Sequence, residues 1–192
     1  MVRTSLTHPL DVFWIDPAAH GGSGRLGLTY APGKCGRAPV SGVDWQRDLG
    51  LDLDRLRGHH AADLLVSLME TFEYELLGIP TLFAEARARG IEVVHLPIVD
   101  TEAPATHQVP EVFELIGDVR DALAKGRTVV IHCRGGQGRT GMLAAAVLTS
   151  YGHGADAAIA LVRAVQPRAV ESSAQQRFVE NAADRYARDQ RD

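Results

Sequence analysis

Residues 128–141 of the chain read TVVIHCRGGQGRTG, and the pattern changes character twice along this stretch. The first five residues are mostly β-branched and apolar, which is typical of a short buried strand. Three glycines within residues 134–138 then predict a tightly curled loop, because glycine adopts backbone conformations that other residues avoid. The small-residue run over 141–151 predicts a helix directly after the loop. A strand, a loop and a helix in this order are typical of an α/β fold.

The same alternation continues outward from this stretch. We predict strands over residues 12–15, 26–30, 63–69 and 91–96, and helices over residues 43–57, 80–89, 111–125, 155–165 and 173–188. Such alternation favours a single α/β domain with a central, mainly parallel sheet of four or five strands and helices on both faces. We assign residues 1–192 to one domain and expect residues 1–42, rich in Gly and Pro around residues 17–42, to form an irregular N-terminal extension packed on the core.

Composition excludes several classes of protein. The 192 residues are 45% hydrophobic and carry a formal net charge of −4, which disfavours a nucleic-acid binder that relies on a basic surface. Two cysteines, Cys35 and Cys133, are too few for a disulfide scaffold. No apolar run approaches the ~20 residues of a membrane span, so we expect a cytoplasmic protein that does not bind membranes. No His, Cys and carboxylate set has zinc-site spacing, and we expect neither metal nor cofactor.

The residues of this loop predict binding of an anion and catalysis by a nucleophilic cysteine. The successive backbone N–H groups of the loop can form a nest for an anion, and the following helix N-terminus adds partial positive charge. Arg139 can donate hydrogen bonds to two oxygens of a phosphate. The positive charge around the loop also favours the thiolate form of Cys133. A thiolate below a bound phosphate is placed to attack phosphorus, and Thr140 can donate a hydrogen bond to the sulfur. The predicted phosphate-binding residues are Arg134, Gly135, Gly136, Gln137, Gly138 and Arg139.

The segment from His132 to Thr140 resembles the H-C-x5-R-S/T signature of the cysteine-based tyrosine and dual-specificity phosphatases. Further segments resemble the kinase-associated phosphatase (cyclin-dependent kinase inhibitor 3-like) branch of that group. These segments are GLTYAPG at residues 27–33, PIVD at residues 97–100 and, less closely, AVESSAQ at residues 169–175. The resemblance implies a dual-specificity phosphatase fold and hydrolysis of phosphate monoesters through a cysteinyl-phosphate intermediate.

By position, the resemblance also implies that Asp100 protonates the leaving oxygen and later activates water. An Asp on a loop beyond a strand end can deliver a proton in this way. A solvated loop carboxylate is the alternative interpretation of Asp100, and Glu102 is the nearby competitor for its role. The predicted catalytic residues are therefore Cys133, Arg139, Asp100 and Thr140.

Supporting roles are predicted for three further residues. Where the family often has a glutamine that positions water, this chain has Glu171, whose carboxylate we expect to point away from a phosphate. The positioning role then passes to Gln175, which is otherwise a polar residue of the last helix. Glu75 could hold the guanidinium of Arg139 from behind, as a Glu does in related enzymes, or could be a solvated helix residue. The ring of His132 could bond the loop backbone and tune the thiol.

Two other functions remain open at this point. A rhodanese-like sulfurtransferase also uses a cysteine at a strand end, although the Arg139-Thr140 pair argues against it. A catalytically dead module that binds phosphoproteins would normally have lost its nucleophile, arginine or acid, and this chain keeps all three. The expected partner is a phosphoprotein or another phosphorylated substrate, and a kinase partner is implied only by the resemblance. Neither the substrate nor the choice between tyrosine and dual specificity follows from the sequence.

Overall fold

The computed structural model describes residues 2–37 and 42–189 of the chain. Residues 38–41, which belong to the predicted N-terminal extension, lie outside the described part, as do Met1 and residues 190–192. The described strands are β1 (Val2–Thr4), β2 (Phe13–Trp14), β3 (Arg25–Tyr30), β4 (Cys35–Arg37), β5 (Asp44–Gln46), β6 (Leu64–Ser67), β7 (Glu92–His95) and β8 (Thr128–Cys133). The described α-helices are α1 (Leu49–Gly58), α2 (Thr71–Leu76), α3 (Leu82–Ala88), α4 (Val109–Ala124), α5 (Gly138–Thr149), α6 (Ala155–Val165) and α7 (Ser173–Asp189).

The main sheet has five strands in the order β2-β3-β8-β6-β7. The three pairings among β3, β8, β6 and β7 are parallel, and the edge strand β2 pairs with β3 antiparallel. The predicted mainly parallel sheet of four or five strands is therefore confirmed, with the correction that the sheet is mixed. Because β3 is an inner strand, residues 25–30 of the predicted extension belong to the main sheet.

Alternating side chains of the central strand β8 enter two separate cores, which explains why every residue of this strand is buried. Val129 and Ile131 pack with α4, α5, α6 and α7 on one face of the sheet. Val130 packs with α1, α2 and α3 on the other face. All twelve residues of α5 are buried, because small side chains in its middle let neighbouring helices approach closely. The prediction of helices on both faces is confirmed.

A small second sheet, in the order β1-β5-β4, was not predicted. It corrects the helix predicted over residues 43–57, because residues 44–46 form β5 and the helix begins only at Leu49. The Asp48 side chain accepts a hydrogen bond from the Leu51 amide at 2.8 Å and so caps the start of α1. The pairing of β5 with β1 and β4 joins residues distant in sequence, and it overrides the leucine spacing that suggested a longer helix.

A buried ion pair joins the small sheet to the main body. Arg47 Nε and Nη2 each donate to the carboxylate of Asp52 at 2.7 Å, and both side chains are at most 1% exposed. The Gly33 amide donates to the same carboxylate at 2.8 Å. Gly33 has a φ of +71°, and an added Cβ would lie 2.6 Å from the Cβ of Leu49, so the chain needs a glycine there. The pair thus holds the segment before β4 against α1.

Replacing Asp52→Asn should lower the free energy of unfolding by about 3 kcal/mol, because it leaves the buried Arg47 without its countercharge. Asp54→Asn is the matched control on the same helix, since Asp54 is 63% exposed and bonded to Arg89, and it should cost at most about 1 kcal/mol. Urea unfolding of both variants measures the difference. Equal small losses would contradict a structural role for the buried pair.

Candidate active site

The candidate site is the loop over residues 133–139, at the carboxyl end of β8 and the start of α5. Cys133 is the last residue of β8 and is only 3% exposed. The Gly136 amide donates to its Sγ at 3.3 Å. Gly136 has a φ of +68°, and an added Cβ would lie 2.6 Å from the Thr29 carbonyl group on β3. Only a glycine lets the loop curl this closely against the neighbouring strand.

Arg139 lies at the start of α5 and is completely buried. Its Nη1 donates to Glu73 Oε2 at 2.6 Å and its Nη2 to Glu73 Oε1 at 3.0 Å. Nη1 also donates to the carbonyl oxygens of Leu68 at 3.2 Å and Ile98 at 3.0 Å. These acceptors fix the plane of the guanidinium from the side remote from solvent.

The opposite edge of the same guanidinium is the edge available to an oxyanion. Its Nε–H has no hydrogen-bond partner among the described residues, although the atom is buried. Its Nη2 lies 2.9 Å from Asp100 Oδ1. A buried donor without a partner is energetically costly unless a ligand accepts a hydrogen bond from it. This edge can therefore bind two oxygens of a phosphate if Asp100 gives up its place.

Glu73, and not the predicted Glu75, holds the guanidinium. Glu73 is 1% exposed on the inner side of α2, whereas Glu75 is exposed. Burial alone would raise the pKa of Glu73, but hydrogen bonds from Arg139 and from the Glu70 amide, with the charge of Arg139, lower it below its ordinary value. The same pairing raises the pKa of Arg139 despite its burial. Helix α2 was not predicted, so its inward-facing position could not be read from the sequence.

The loop after β7 brings Asp100 to the site, as its position in the sequence suggested. The Ile98 amide bonds the Leu68 carbonyl at 3.2 Å, which anchors the base of the loop to the end of β6. The Asp100 side chain is 49% exposed, and its one described ion pair is with Arg139. A half-exposed carboxyl on the solvent side of the guanidinium can exchange partners when an anion arrives.

His132 directly precedes Cys133 and Thr140 directly follows Arg139, and both side chains are completely buried. The Thr140 hydroxyl has no hydrogen-bond partner among the described residues, Cys133 included. Both nitrogens of His132 lack a well-formed hydrogen bond, although the Cys133 backbone is near enough to influence the ring. Burial lowers the pKa of His132 to about 4, which makes the ring neutral at physiological pH. The residues on either side of the loop thus contribute a neutral imidazole ring and a hydroxyl group without a hydrogen-bond partner among the described residues.

Gln175 connects two loops at the rim of the site. Its Nε2 donates to the Glu102 carbonyl at 3.3 Å, and its Oε1 accepts from the Glu171 amide at 3.0 Å. The side chain is completely buried. These bonds occupy the amide oxygen and one N–H in joining the Asp100 loop to the loop before α7, and no bond of Gln175 reaches the phosphate-binding loop. The bonds show that Gln175 is held in a fixed position at the rim, and the positioning of water by this residue stays a prediction.

Glu171 points toward the loop, which corrects the expectation that it points away. An added Cβ on Gly138 would lie 2.0 Å from Glu171 Oε1, so the carboxyl group occupies the space that a side chain at position 138 would fill. Gly138 is the first residue of α5. A carboxyl group can occupy this place because the N-terminus of a helix attracts negative charge.

Lys34 is a rim residue that sequence reasoning missed. Its ammonium group lies 4.2 Å from the ring centre of Trp45 and 4.5 Å from that of Tyr30, and it donates to the Arg134 carbonyl at 3.5 Å. Burial lowers the pKa of Lys34 to about 8, against the opposing influence of Cys133. No motif marks this lysine, because its position depends on the unpredicted small sheet. Arg134 itself is half-buried at the same rim.

A family model described as "Polymorphic toxin system, DSP-PTPase phosphatase" matches residues 52–153, more than half of the chain. The chain belongs to this family. The region matched by the DSP-PTPase model contains Glu73, Asp100, Cys133 and Arg139. Lys34 and residues 171–175 lie outside it, so these parts of the rim are features of the chain beyond the matched core of the DSP-PTPase family.

The relatives found among curated proteins and among solved structures are consistent with membership of the DSP-PTPase family. The chain is 26% identical over 140 residues to cyclin-dependent kinase inhibitor 3 of Rattus norvegicus, an alignment that covers 73% of this chain and 61% of the relative. The chain thus spans less than two thirds of that relative's length. A crystal structure of kinase associated phosphatase, with its catalytic-site cysteine replaced by serine, superposes with a TM-score of 0.81 at 23% identity, covering 93% of this chain and 97% of the other. The active form of Tk-PTP superposes with a TM-score of 0.69 at 28% identity, covering 91% and 97%.

Across residues 2–37 and 42–189, every helix is too short or too polar to serve as a transmembrane span. The same residues contain no group of three or more His, Cys, Asp or Glu side chains that could hold a metal ion.

Replacing Glu73→Gln should lower the free energy of unfolding by about 3 kcal/mol at neutral pH, because Arg139 keeps its buried charge and loses its carboxylate. Since the pKa of Glu73 is lowered by folding, this stabilisation is present above the ordinary Glu value of 4.5 and is lost as the pH falls through the lower folded value. Denaturant unfolding of wild type and variant between pH 3 and pH 7 should therefore show the two converging in acid.

The exposed Glu75→Gln variant is the control for this comparison, and it should unfold like the wild type at every pH. A larger loss for Glu75→Gln than for Glu73→Gln would overturn the assignment of the Arg139 partner.

Proposed function

We propose that the protein hydrolyses phosphate monoesters, including phosphotyrosine and phosphoserine or phosphothreonine in proteins, through a cysteinyl-phosphate intermediate. The single observation that carries the proposal is the unpaired Nε edge of the buried Arg139 in a loop that begins with Cys133. An arginine that is held from behind by Glu73, with its Nε–H unpaired among the described residues and its Nη2 beside the half-exposed Asp100, is arranged to bind an oxyanion once Asp100 moves away. Membership of the DSP-PTPase family supports the same reaction.

In the first step, the phosphate binds to the loop amides and to the Nε and Nη2 donors of Arg139. Asp100, displaced from Nη2, takes up a proton from solvent and turns to the leaving oxygen. The thiolate of Cys133 attacks phosphorus, the bond from phosphorus to the leaving oxygen breaks, and Asp100 gives its proton to that oxygen. The products of this step are the free alcohol or phenol and a phosphate bound covalently to sulfur.

In the second step, water attacks the phosphorus of the cysteinyl-phosphate while Asp100, now a carboxylate, takes a proton from that water. The bond between sulfur and phosphorus breaks and Cys133 leaves as the thiolate. The Gly136 amide at 3.3 Å from Sγ and the unpaired Thr140 hydroxyl stabilise the departing charge. Inorganic phosphate is released and Asp100 is again protonated.

The alternatives are less well supported by the same geometry. A sulfurtransferase has no need for an acid such as Asp100 beside Arg139, because its leaving group, such as sulfite from thiosulfate, departs as an anion without protonation. A dead binding module has no need for a buried nucleophile together with that acid.

A phosphorylated protein is the proposed partner, by analogy with the relatives. A kinase is also proposed as a partner, because the curated relative is named a cyclin-dependent kinase inhibitor. A cytoplasmic, reducing location is proposed because the reaction requires a free thiol.

Purified protein under reducing conditions should hydrolyse p-nitrophenyl phosphate with no added metal, and vanadate should inhibit it. Cys133→Ser should lower the turnover number below about a thousandth of the wild-type value, since serine is a far weaker nucleophile here. Its affinity for tungstate should persist, because the binding groups are retained. Cys35→Ser is the matched control and should turn over normally. Full activity of Cys133→Ser would exclude the cysteinyl-phosphate mechanism.

Replacing Asp100→Asn should lower kcat/KM for phenyl phosphate by roughly 10²–10⁴-fold, because kcat/KM reports the first step and a poor leaving group depends there on general acid catalysis. The loss should be much smaller for a substrate whose leaving group needs no proton, such as p-nitrophenyl phosphate. Steady-state kinetics of Asp100→Asn and of the control Glu102→Gln, with both substrates, measure this contrast. Equal small losses on both substrates would remove Asp100 from the role of acid.

A further inference from the structure

Glu171 places a second carboxyl group against the predicted phosphate-binding loop. Its Oε1 occupies the space beside Gly138, where an added Cβ would lie 2.0 Å away. Much of the residue is exposed, but its backbone is anchored. The Glu171 amide donates to Gln175 Oε1 at 3.0 Å, and Arg163 Nη2 donates to the carbonyl of the preceding residue, Val170, at 2.9 Å. These bonds fix the backbone from which the side chain reaches the first turn of α5.

The charges that face Glu171 come from three parts of the chain. Asp100, on the loop after β7, repels its negative charge, whereas Arg139 on α5 and Arg168 in the loop before Glu171 attract it. Burial and the charge of Asp100 together outweigh the two arginines and raise the pKa of Glu171 above its ordinary value. A phosphate dianion in the loop would add further negative charge beside the same carboxyl group.

We propose that Glu171 is a protonation-dependent ligand of the bound phosphate. Uncharged, it donates a hydrogen bond to a phosphate oxygen from its place beside Gly138. Charged, it competes with the phosphate for the positive end of α5 and repels it. The proposal rests on the proposed phosphatase function and deepens it, because it makes the binding of phosphate depend on whether Glu171 is protonated.

A dianion bound in the loop must be balanced by the charges around it. The loop amides, the α5 N-terminus and Arg139 can stabilise one doubly charged anion, and Asp100 must itself be protonated to act as an acid. A second ionised carboxylate against the loop would leave the bound state with excess negative charge. Binding of a dianion should therefore take up a proton from solvent at Glu171, in addition to any proton taken up at Asp100.

The Glu171→Gln variant tests the proposal, since glutamine has nearly the same shape, can donate a hydrogen bond and cannot ionise. The exposed Glu114→Gln on α4 removes the same charge far from this loop and is the matched control. Both changes are made in the Cys133→Ser protein for binding measurements and in the active protein for kinetics. Tungstate is the probe, as a dianion that does not react.

Tungstate should bind the Cys133→Ser protein more weakly as the pH rises from 5 to 8. The added Glu171→Gln change should flatten this dependence and give binding at pH 8 that is about tenfold tighter or more, because the variant carries no charge to repel the dianion. Calorimetry in buffers of different ionisation enthalpy should show less proton uptake for the Glu171→Gln protein. The Glu114→Gln protein should match its parent in both measurements. The kcat/KM of the active protein for p-nitrophenyl phosphate should show the same flattening with Glu171→Gln.

The outcomes separate this inference from the proposed function. Tungstate binding that falls with pH identically with and without Glu171→Gln would overturn the inference, and so would equal proton uptake in the two proteins. A wild-type protein that hydrolyses p-nitrophenyl phosphate would at the same time support the phosphatase function. Absence of both tungstate binding and hydrolysis in the wild type would overturn the function itself, and this inference with it.

Discussion

The geometry of the site depends on one buried ion pair, between Glu73 and Arg139. The two side chains are at most 2% exposed, and two short hydrogen bonds hold their planes together. A buried guanidinium without such a partner would carry an uncompensated charge, so the pair is a condition for placing an arginine at the base of the loop. Because Glu73 uses one edge of the group, the Nε edge is left for a ligand.

The same guanidinium connects the segments that approach the loop. It donates to the Leu68 carbonyl after β6 and the Ile98 carbonyl after β7, and it pairs with Asp100 on the same loop as Ile98. The proposed acid is thus held close to the nucleophile by the group that would bind the phosphate. Under the proposed mechanism, a phosphate that binds Arg139 would displace Asp100 toward the leaving oxygen, which would couple substrate recognition to protonation.

Two carboxyl groups, Asp100 and Glu171, flank a loop adapted to an anion. The helix N-terminus and Arg139 attract both, and the charge of Asp100 contributes to the raised pKa of Glu171. In the site without a ligand, the two carboxyl groups lie near the buried guanidinium of Arg139. Under the proposal made for Glu171, the binding of a phosphate would change the charge state of this residue.

The sequence by itself predicted most of the strands and helices in their succession along the chain, and it singled out Cys133 and Arg139, because strand periodicity, glycine spacing and the loop signature are local properties of the chain. Asp100 was singled out by the resemblance of residues 97–100 to related phosphatases. The roles of these three residues remain proposals. The order of the strands within the main sheet was not predicted. Only the tertiary structure decided that Glu73 rather than Glu75 faces Arg139, that residues 44–46 pair as β5, and that Glu171 turns toward Gly138. Each of these depends on contacts between segments far apart in sequence. The short helix α2 and the small sheet have too few residues to show a periodic pattern, and their positions follow from buried ion pairs and strand pairing instead of local preference.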